Sequence, residues 1–481
     1  MSADGSTSGD VPGSTSGADG STGMPPGDGS TDGGESSGGG EGDTTGGPEA
    51  GCEGNGGLTP EELLANVDTI VVVMMENRSF DHYFGAATFR EDWSINGLTG
   101  DETNPRLDGT PVQVFNLDNL TPEDPPHSWG SVHEQWNAGA MDGFVREHEM
   151  SHPGSYDEVM GYHVRGQLPV LYALADNYVV CDNWFSSVLG PTWPNRFYMH
   201  CATSGGLQSN LPNPGLPSIW NVLGDAGVSG LNYFSDVPWA WGAFTNPLLS
   251  YTQTIGNFFD AAAAGTLPSF VIVDPNFGLL PGGEGGNDDH PSHDITLGQI
   301  FLGSVYQALA QSPQWESCLL IITYDEHGGF YDHAPPPEFV DSNPAFAQLG
   351  IRVPSVVVGP HVRQGCVDNT LYDHVSPLAT ATRRFGLAWI NDRAEQTADV
   401  SNAIDSAYLD DPQPPARIPL LSVSVEEVLR KTGTSQHEMA SMIQSGTIPL
   451  PRDRRDPGAS RRVALEMLEH AQRLGVVELK P

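Results

Sequence analysis

The sequence predicts an α/β fold: a doubly wound, mostly parallel central sheet flanked by helices. Three observations carry the architecture. Apolar, β-branched runs recur at 68–75 (DTIVVVMM), 268–273, 318–324 and 353–358. They lack polar alternation, as strands covered on both faces do, and such strands belong to parallel sheets. Helical patterns over 219–226 and 296–310 lie between them, and alternating strands and helices build βαβ units. Each run also stops on a polar or Gly-rich segment, and open α/β sheets bind ligands at the carboxyl ends of their strands.

Taken in order, residues 1–57 are rich in Gly, Ser and Asp and hold no Lys or Arg. With almost nothing to bury, they read as a disordered linker, dispensable for catalysis. No basic-then-apolar leader opens the chain. Long Gly/Ser linkers occur in surface-tethered proteins, so the expected location is extracellular, periplasmic or surface-tethered. The folded part starts near Leu58, where Thr59-Pro60-Glu61-Glu62 is a capping box with Pro at the first helical position. The first strand then ends in Glu76-Asn77.

Further on, Tyr178–Val180 is a short apolar run with a strand's composition. SVLGPTWPNRFY (187–198) follows it and opens a helix, with Pro194 tolerated in the first turn. Thr192 then sits at a helix start, where free N–H groups attract anions; Gly-Pro-Thr is also an ordinary turn composition. Residues 58–400 form the expected catalytic domain. Residues 401–481 are an extension whose helix, from Ala459 to Leu474, carries Ala464, Met467, Leu468, Ala471 and Leu474 on one face and docks on the domain.

Composition narrows the function. Acidic residues number 61 against 21 basic, a net charge of −40, which argues against binding nucleic acid or an anionic membrane surface. No run of roughly eighteen apolar residues exists to span a bilayer. The five cysteines, Cys52, Cys181, Cys201, Cys318 and Cys366, form no C-x-x-C pair, which disfavours a thiolate zinc site. Cys181 and Cys201 flank the Thr192 turn; a disulfide between them and buried thiols are equally compatible with the sequence. G-x-S-x-G is missing from the folded part, and Walker A, strand-linked G-x-G-x-x-G and H-E-x-x-H patterns are missing too. Thr192-Trp193-Pro194-Asn195-Arg196 has the skeleton of the sulfatase C-x-P-x-R run with Thr in the nucleophile's place.

Two acidic strand ends stand out. Glu76 and Asn77 close one buried strand; Asp325 and Glu326 close another. Parallel central strands would bring these oxygen donors into one crevice, suited to a hard divalent cation such as Ca²⁺, Mg²⁺ or Mn²⁺. With no Lys nearby, such a cation would relieve their repulsion. Histidines gather in Asp288–Asp294, with His290, and at His127, His327, His333 and His374; they can carry protons and, when charged, bind phosphate oxygens. The Asp289–His293 spacing also fits a metal-ligand pair. His82, His148, His152, His163, His200 and His361 read as structural or surface residues.

Five stretches, MMENRSFDHYFG (74–85), LPVLYALADNYVVCDNWFSSVLGPTWPNR (168–196), NDDHPSHDITLGQIF (287–301), LLIITYDEHGGFYDHAPPP (319–337) and YDHVSPLATATRRFG (372–386), resemble the bacterial phosphoesterase family. That family holds the non-haemolytic-type phospholipases C and the acid phosphatase A-type enzymes, relatives of the alkaline phosphatase superfamily. The resemblance runs from about Ile70 to Leu387. It implies hydrolysis of phosphate esters through a hydroxyl nucleophile at Thr192. It also implies a metal held by Glu76, Asn77, Thr192, Asp325 and Glu326. His127 and His290 are the implied phosphate-facing and proton-transferring histidines, with His374 and Asn195 on the substrate side. The segment after about Phe385 is short beside the further C-terminal domains of larger phospholipases C, which leaves phosphodiester, phospholipid included, and phosphomonoester substrates open. Trp129, Trp136, Trp239, Trp241 and Phe244 suit either an apolar mouth or ordinary packing. A surface-tethered binding protein on an inactive scaffold is the rival from another class. It is disfavoured because each metal position carries a competent ligand.

Overall fold

Two seven-residue strands hold the centre, and every residue of both is buried. The computed structural model describes residues 48–52, 54–430 and 432–480. Its central sheet has nine strands. In chain order they are β1 (Glu49–Ala50), β2 (Thr69–Met75), β3 (Val179–Cys181), β4 (Gly230–Phe234), β5 (Thr252–Thr254), β6 (Phe270–Asp274), β7 (Cys318–Tyr324), β8 (Val356–Val358) and β9 (Cys366–Asp368). Across the sheet they run β1-β9-β3-β8-β7-β2-β6-β4-β5. Only β8 is antiparallel to its neighbours β7 and β3. The segment between β7 and β8 holds only a short 3₁₀ turn at Pro344–Phe346. Without a helix to carry a crossover, the chain returns antiparallel.

Helices follow the expected pattern. They include α1 (Pro60–Leu63), α2 (Pro169–Asn177), α3 (Thr192–Cys201), α4 (Ile219–Ala226), α5 (Ile295–Ala310), α6 (His437–Gln444) and α7 (Ala459–Arg473). The capping box at α1 forms: Glu62 N donates to Thr59 Oγ1 (3.2 Å), and Thr59 N donates to Glu62 Oε2 (2.8 Å). No helix among the described residues is long and apolar enough to cross a membrane.

One expectation about the ends changes. Residues 1–47 of the expected linker lie outside the described residues. Its last part is structured: β1 pairs in parallel with β9, and Cys52 forms a disulfide with Cys366. Cys181 and Cys201 are free and buried. They sit in different apolar clusters, Cys181 in the main core and Cys201 among Trp193, Phe197 and Trp239. At the other end, the described residues up to 480 fall in the same compact unit as the domain. Ala464, Met467 and Leu468 of α7 border the same small cavity as Leu297 and Ile300 of α5. The segment before α6 threads back against the domain, where Gly433 N donates to Gly283 O (3.2 Å). Gly278, at φ +72°, has no room for a side chain there: a Cβ would lie 1.9 Å from Gly433 O.

Candidate active site

Strand register builds the centre of the site. Met75 of β2 is paired with Tyr324 of β7, so Glu76 and Asp325 leave the sheet side by side, followed by Asn77 and Glu326. All four are buried. The Asp325 carboxylate ties the two exits together, its Oδ1 accepting from Asn77 N (3.1 Å) and Glu326 N (2.7 Å). Asn77 turns at φ +60°, and Gly328, at φ +63°, packs so closely that a Cβ would lie 2.3 Å from Asn77 O.

The carboxylates are not without a cation, as the sequence suggested. Arg196, fully buried on α3, donates from Nε to Asp325 Oδ2 (3.0 Å) and from Nη2 to Glu76 Oε1 (2.9 Å). Burial still pushes Asp325 up to about 7 and Glu76 well above the usual carboxylate range, against the pull of Arg196. The signal was in the sequence, since Arg196 ends the Thr192–Arg196 skeleton that matches the sulfatase run.

On these four strand-end residues, three buried oxygens have no hydrogen-bond donor: Glu76 Oε2, Asn77 Oδ1 and Glu326 Oε1. Unpaired buried acceptors are costly, and an all-oxygen set is what a hard divalent cation coordinates. The residues present therefore fit such an ion. Asp325 differs, because both its oxygens already accept protein hydrogen bonds. Glu326 Oε2 is likewise occupied, by Gly328 N at 2.8 Å. Among the described residues, acidic and histidine groups close enough to share a metal occur at two places: Asp124, His127 and His290, and Asp81, Asp332 and His333. The second group is an ion network instead, since Arg352 reaches both Asp81 (3.1 Å) and Asp332 (3.0 Å) and His333 bonds Asp81 (2.6 Å).

Thr192 is the first residue of α3, almost buried, with Pro191 as the cap. It lies one turn before Arg196, on the same face of the helix. The helix start is not wholly open, because Trp193 N donates to Asn210 Oδ1 (2.8 Å). Asn195, expected on the substrate side, is buried and spends its amide on the turn: Oδ1 accepts from Val188 N (3.0 Å), and Nδ2 donates to Gly190 O (3.0 Å) and Pro191 O (3.2 Å).

His127 does reach the centre. Its Nδ1 donates to Pro125 O (2.7 Å), which turns Nε2 to within 3.5 Å of Asn77 Nδ2 and 3.9 Å of Glu326 Oε1. Burial lowers its pKa, but Glu326, Asp124 and the Pro125 carbonyl outweigh that and raise it to about 9. The His290 ring stands 5.9 Å from the His127 ring, and burial holds its pKa below the usual value. His374, by contrast, uses both nitrogens within the protein. Its Nε2 donates to Asp325 O (2.6 Å), and Nδ1 accepts from Trp184 Nε1 (3.4 Å). It braces the Asp325 backbone. The Asp289–His293 pair does not form either. His293 Nδ1 bonds Asp288 Oδ1 (2.6 Å), while Tyr324 Oη donates to Asp289 Oδ2 (2.7 Å).

Two further residues came from the extension, where no motif marked them. Gln436 Nε2 donates to Glu76 Oε1 (2.5 Å), and Ser435 Oγ donates to Asp288 Oδ2 (2.7 Å). Of the candidate mouth aromatics, Trp239, Trp241 and Phe244 are packed in an apolar cluster. Trp129 is partly exposed and lies over Gly190, where a Cβ would meet its ring at 2.9 Å.

Comparison with known proteins adds the family. Residues 67–388 match the Phosphoesterase family. Non-specific phospholipase C6 of Arabidopsis thaliana is 36% identical over 358 residues, 67% of this chain and 68% of the relative. Phospholipase C B of Mycobacterium tuberculosis is 29% identical over 432 residues, 74% of this chain and 80% of the relative. Among solved structures, the phosphonate monoester hydrolase of Agrobacterium radiobacter is similar with a TM-score of 0.34 at 12% identity, over 67% of this chain and 74% of that one. The lipoteichoic acid synthase of Listeria monocytogenes gives 0.37 at 8% identity, over 84% of this chain and 92% of that one.

Proposed function

The chain belongs to the phosphoesterase family and is a hydrolase of phosphoric ester bonds, and from that premise we propose a cation-dependent, phospholipase C-type phosphodiesterase with Thr192 as nucleophile. The observation that carries this reading is the set of three donorless oxygens on Glu76, Asn77 and Glu326, with Thr192 on the helix whose Arg196 binds the same carboxylates. Glu76, Asn77, Glu326 and Thr192 would hold the ion, and Asp325 backs them through its bonds to Arg196 and the backbone. Bound there, a divalent cation supplies Lewis acidity that lowers the pKa of a hydroxyl and offsets phosphoryl charge.

The chain's own groups then act in turn. Thr192 Oγ1, deprotonated, attacks phosphorus in line, and the bond to the leaving alcohol breaks. His127 gives its Nε2 proton to that alcohol. Its Nδ1 bond to Pro125 keeps the ring turned that way. Water then displaces Thr192 from phosphorus and returns a proton to His127, while His290 lines the same cleft. Asn195 holds the turn that presents Thr192. The partly exposed Trp129 beside that turn suits a substrate with an apolar portion, and the phospholipase C names of the relatives support a phospholipid. The Cys52–Cys366 disulfide supports an oxidising, extracellular or periplasmic location.

The test compares p-nitrophenyl phosphorylcholine with p-nitrophenyl phosphate, each with and without chelator. The expected result is faster diester turnover that chelator abolishes and added cation restores. Faster monoester turnover would move the substrate to the acid phosphatase class, and turnover indifferent to chelator would remove the cation.

A further inference from the structure

The C-terminal extension lies beyond the family match, which ends at residue 388, yet it sends one side chain into the centre of the site. We propose that Gln436 is a positioning residue: it fixes the Glu76 carboxylate so that Oε2 faces the cation, and the extension thereby completes the active site. The inference rests on the reading of Glu76 as a cation ligand given above.

The geometry leaves Gln436 one orientation. Its side chain is buried, and its Oε1 accepts from the Trp193 indole Nε1 at 2.8 Å. An indole N–H only donates, so the amide oxygen must face Trp193 and the amide nitrogen must face Glu76. That nitrogen donates to Glu76 Oε1 at 2.5 Å, and Arg196 Nη2 donates to the same oxygen at 2.9 Å. Two donors on one oxygen hold the carboxylate against rotation and leave Oε2 without a partner. Trp193 directly follows Thr192, so Gln436 also links the proposed ligand to the turn bearing the proposed nucleophile.

The segment bearing Gln436 is anchored on both sides. Ser435 N donates to Phe277 O (3.1 Å), and Ser435 Oγ donates to Asp288 Oδ2 (2.7 Å). On the far side, Met439 of α6 is fully buried beside Trp193, Phe197 and Trp239. Gly242 admits it closely, since a Cβ there would lie 3.0 Å from Met439 Cγ. Partners that orient a metal ligand without touching the metal are worth roughly 10–100-fold in affinity or activity.

Isothermal titration of Mn²⁺ into the chelator-stripped, full-length protein reads this directly. Three variants join the wild type: Gln436→Met, which keeps length and bulk but loses both hydrogen bonds; Gln436→Asn, an amide too short to reach both partners; and Glu76→Gln. Both Gln436 variants should bind Mn²⁺ about 10–100-fold more weakly. Their kcat should recover at saturating Mn²⁺, with KM for p-nitrophenyl phosphorylcholine little changed. A purely structural loss would not be rescued by the ion. Gln436→Asn disturbs packing least and carries the test if Gln436→Met does not fold. If Glu76→Gln weakens binding while both Gln436 variants stay within about twofold of wild type, the inference falls and the site stands. If the wild type binds no Mn²⁺, or Glu76→Gln binds as tightly as wild type, the reading of the site falls and takes the inference with it.

Discussion

Thr192 and Arg196 stand one helical turn apart and make opposite demands on the protein. Thr192 is proposed to act through a single oxygen. Thr192→Val keeps its shape and removes that oxygen, so kcat should drop by at least about 10³-fold with little change in stability. Thr192→Ser keeps the attacking atom and should retain much of the activity. Acid quench during turnover should leave phosphate on the peptide bearing Thr192; near-normal turnover by the Val variant would assign the attack to water. Arg196 carries a structural load instead. Removing it strands Glu76 and Asp325 as buried carboxylates without their cation. Arg196→Met should therefore lose about 3–5 kcal/mol in urea unfolding of the chelator-stripped protein. A loss below about 1 kcal/mol would mean the carboxylates are protonated or hydrated in the fold. The sequence exposed the four strand-end donors and Thr192 because each ends or opens an element. It hid the saturation of Asn195 and His374, because a motif says nothing about which partners a side chain has already met.

At the scale of elements, the parallel pairing of β2 with β7 does most to make the site. Both strands were legible as unbroken apolar runs, and β7 follows the expected bounds, Cys318–Tyr324. Their adjacency was not, since no local feature says which strands become neighbours. Gly328 tests how tightly the two exits are locked. An Ala there would need a left-handed backbone and would bring Cβ into contact with Asn77 O. Gly328→Ala should cost about 2–4 kcal/mol in chemical denaturation. It should weaken cation binding as well, because Asn77 and Glu326 would move apart. Unchanged stability would show that the loop has room to yield. β8 shows the opposite case, a run read correctly as a strand whose direction depended on the helix-free connection before it.

For the whole molecule, the ends of the chain matter more than their composition suggests. The disulfide joins residues 314 apart in sequence and holds β1 on the sheet edge. Cys52→Ser should lower stability by roughly 2–4 kcal/mol. It should leave kcat nearly intact, because β9, β3 and β8 separate that edge from β7 and β2. A large loss of kcat in a variant that still folds would contradict this isolation of the edge. The extension acts the other way, adding little sheet but supplying Gln436 to the centre.

The sequence by itself determined the α/β class, five of the nine strands of the central sheet, the family and the oxygen donors at the strand ends. Each of these is written in local periodicity or in a contiguous motif. Only the tertiary structure decided that Arg196 bridges the carboxylates, that His374 and Asn195 are already engaged, that Cys52 bonds Cys366, and that Gln436 reaches Glu76. These are contacts between segments far apart in the chain, set by strand order and by which buried polar groups still lack partners.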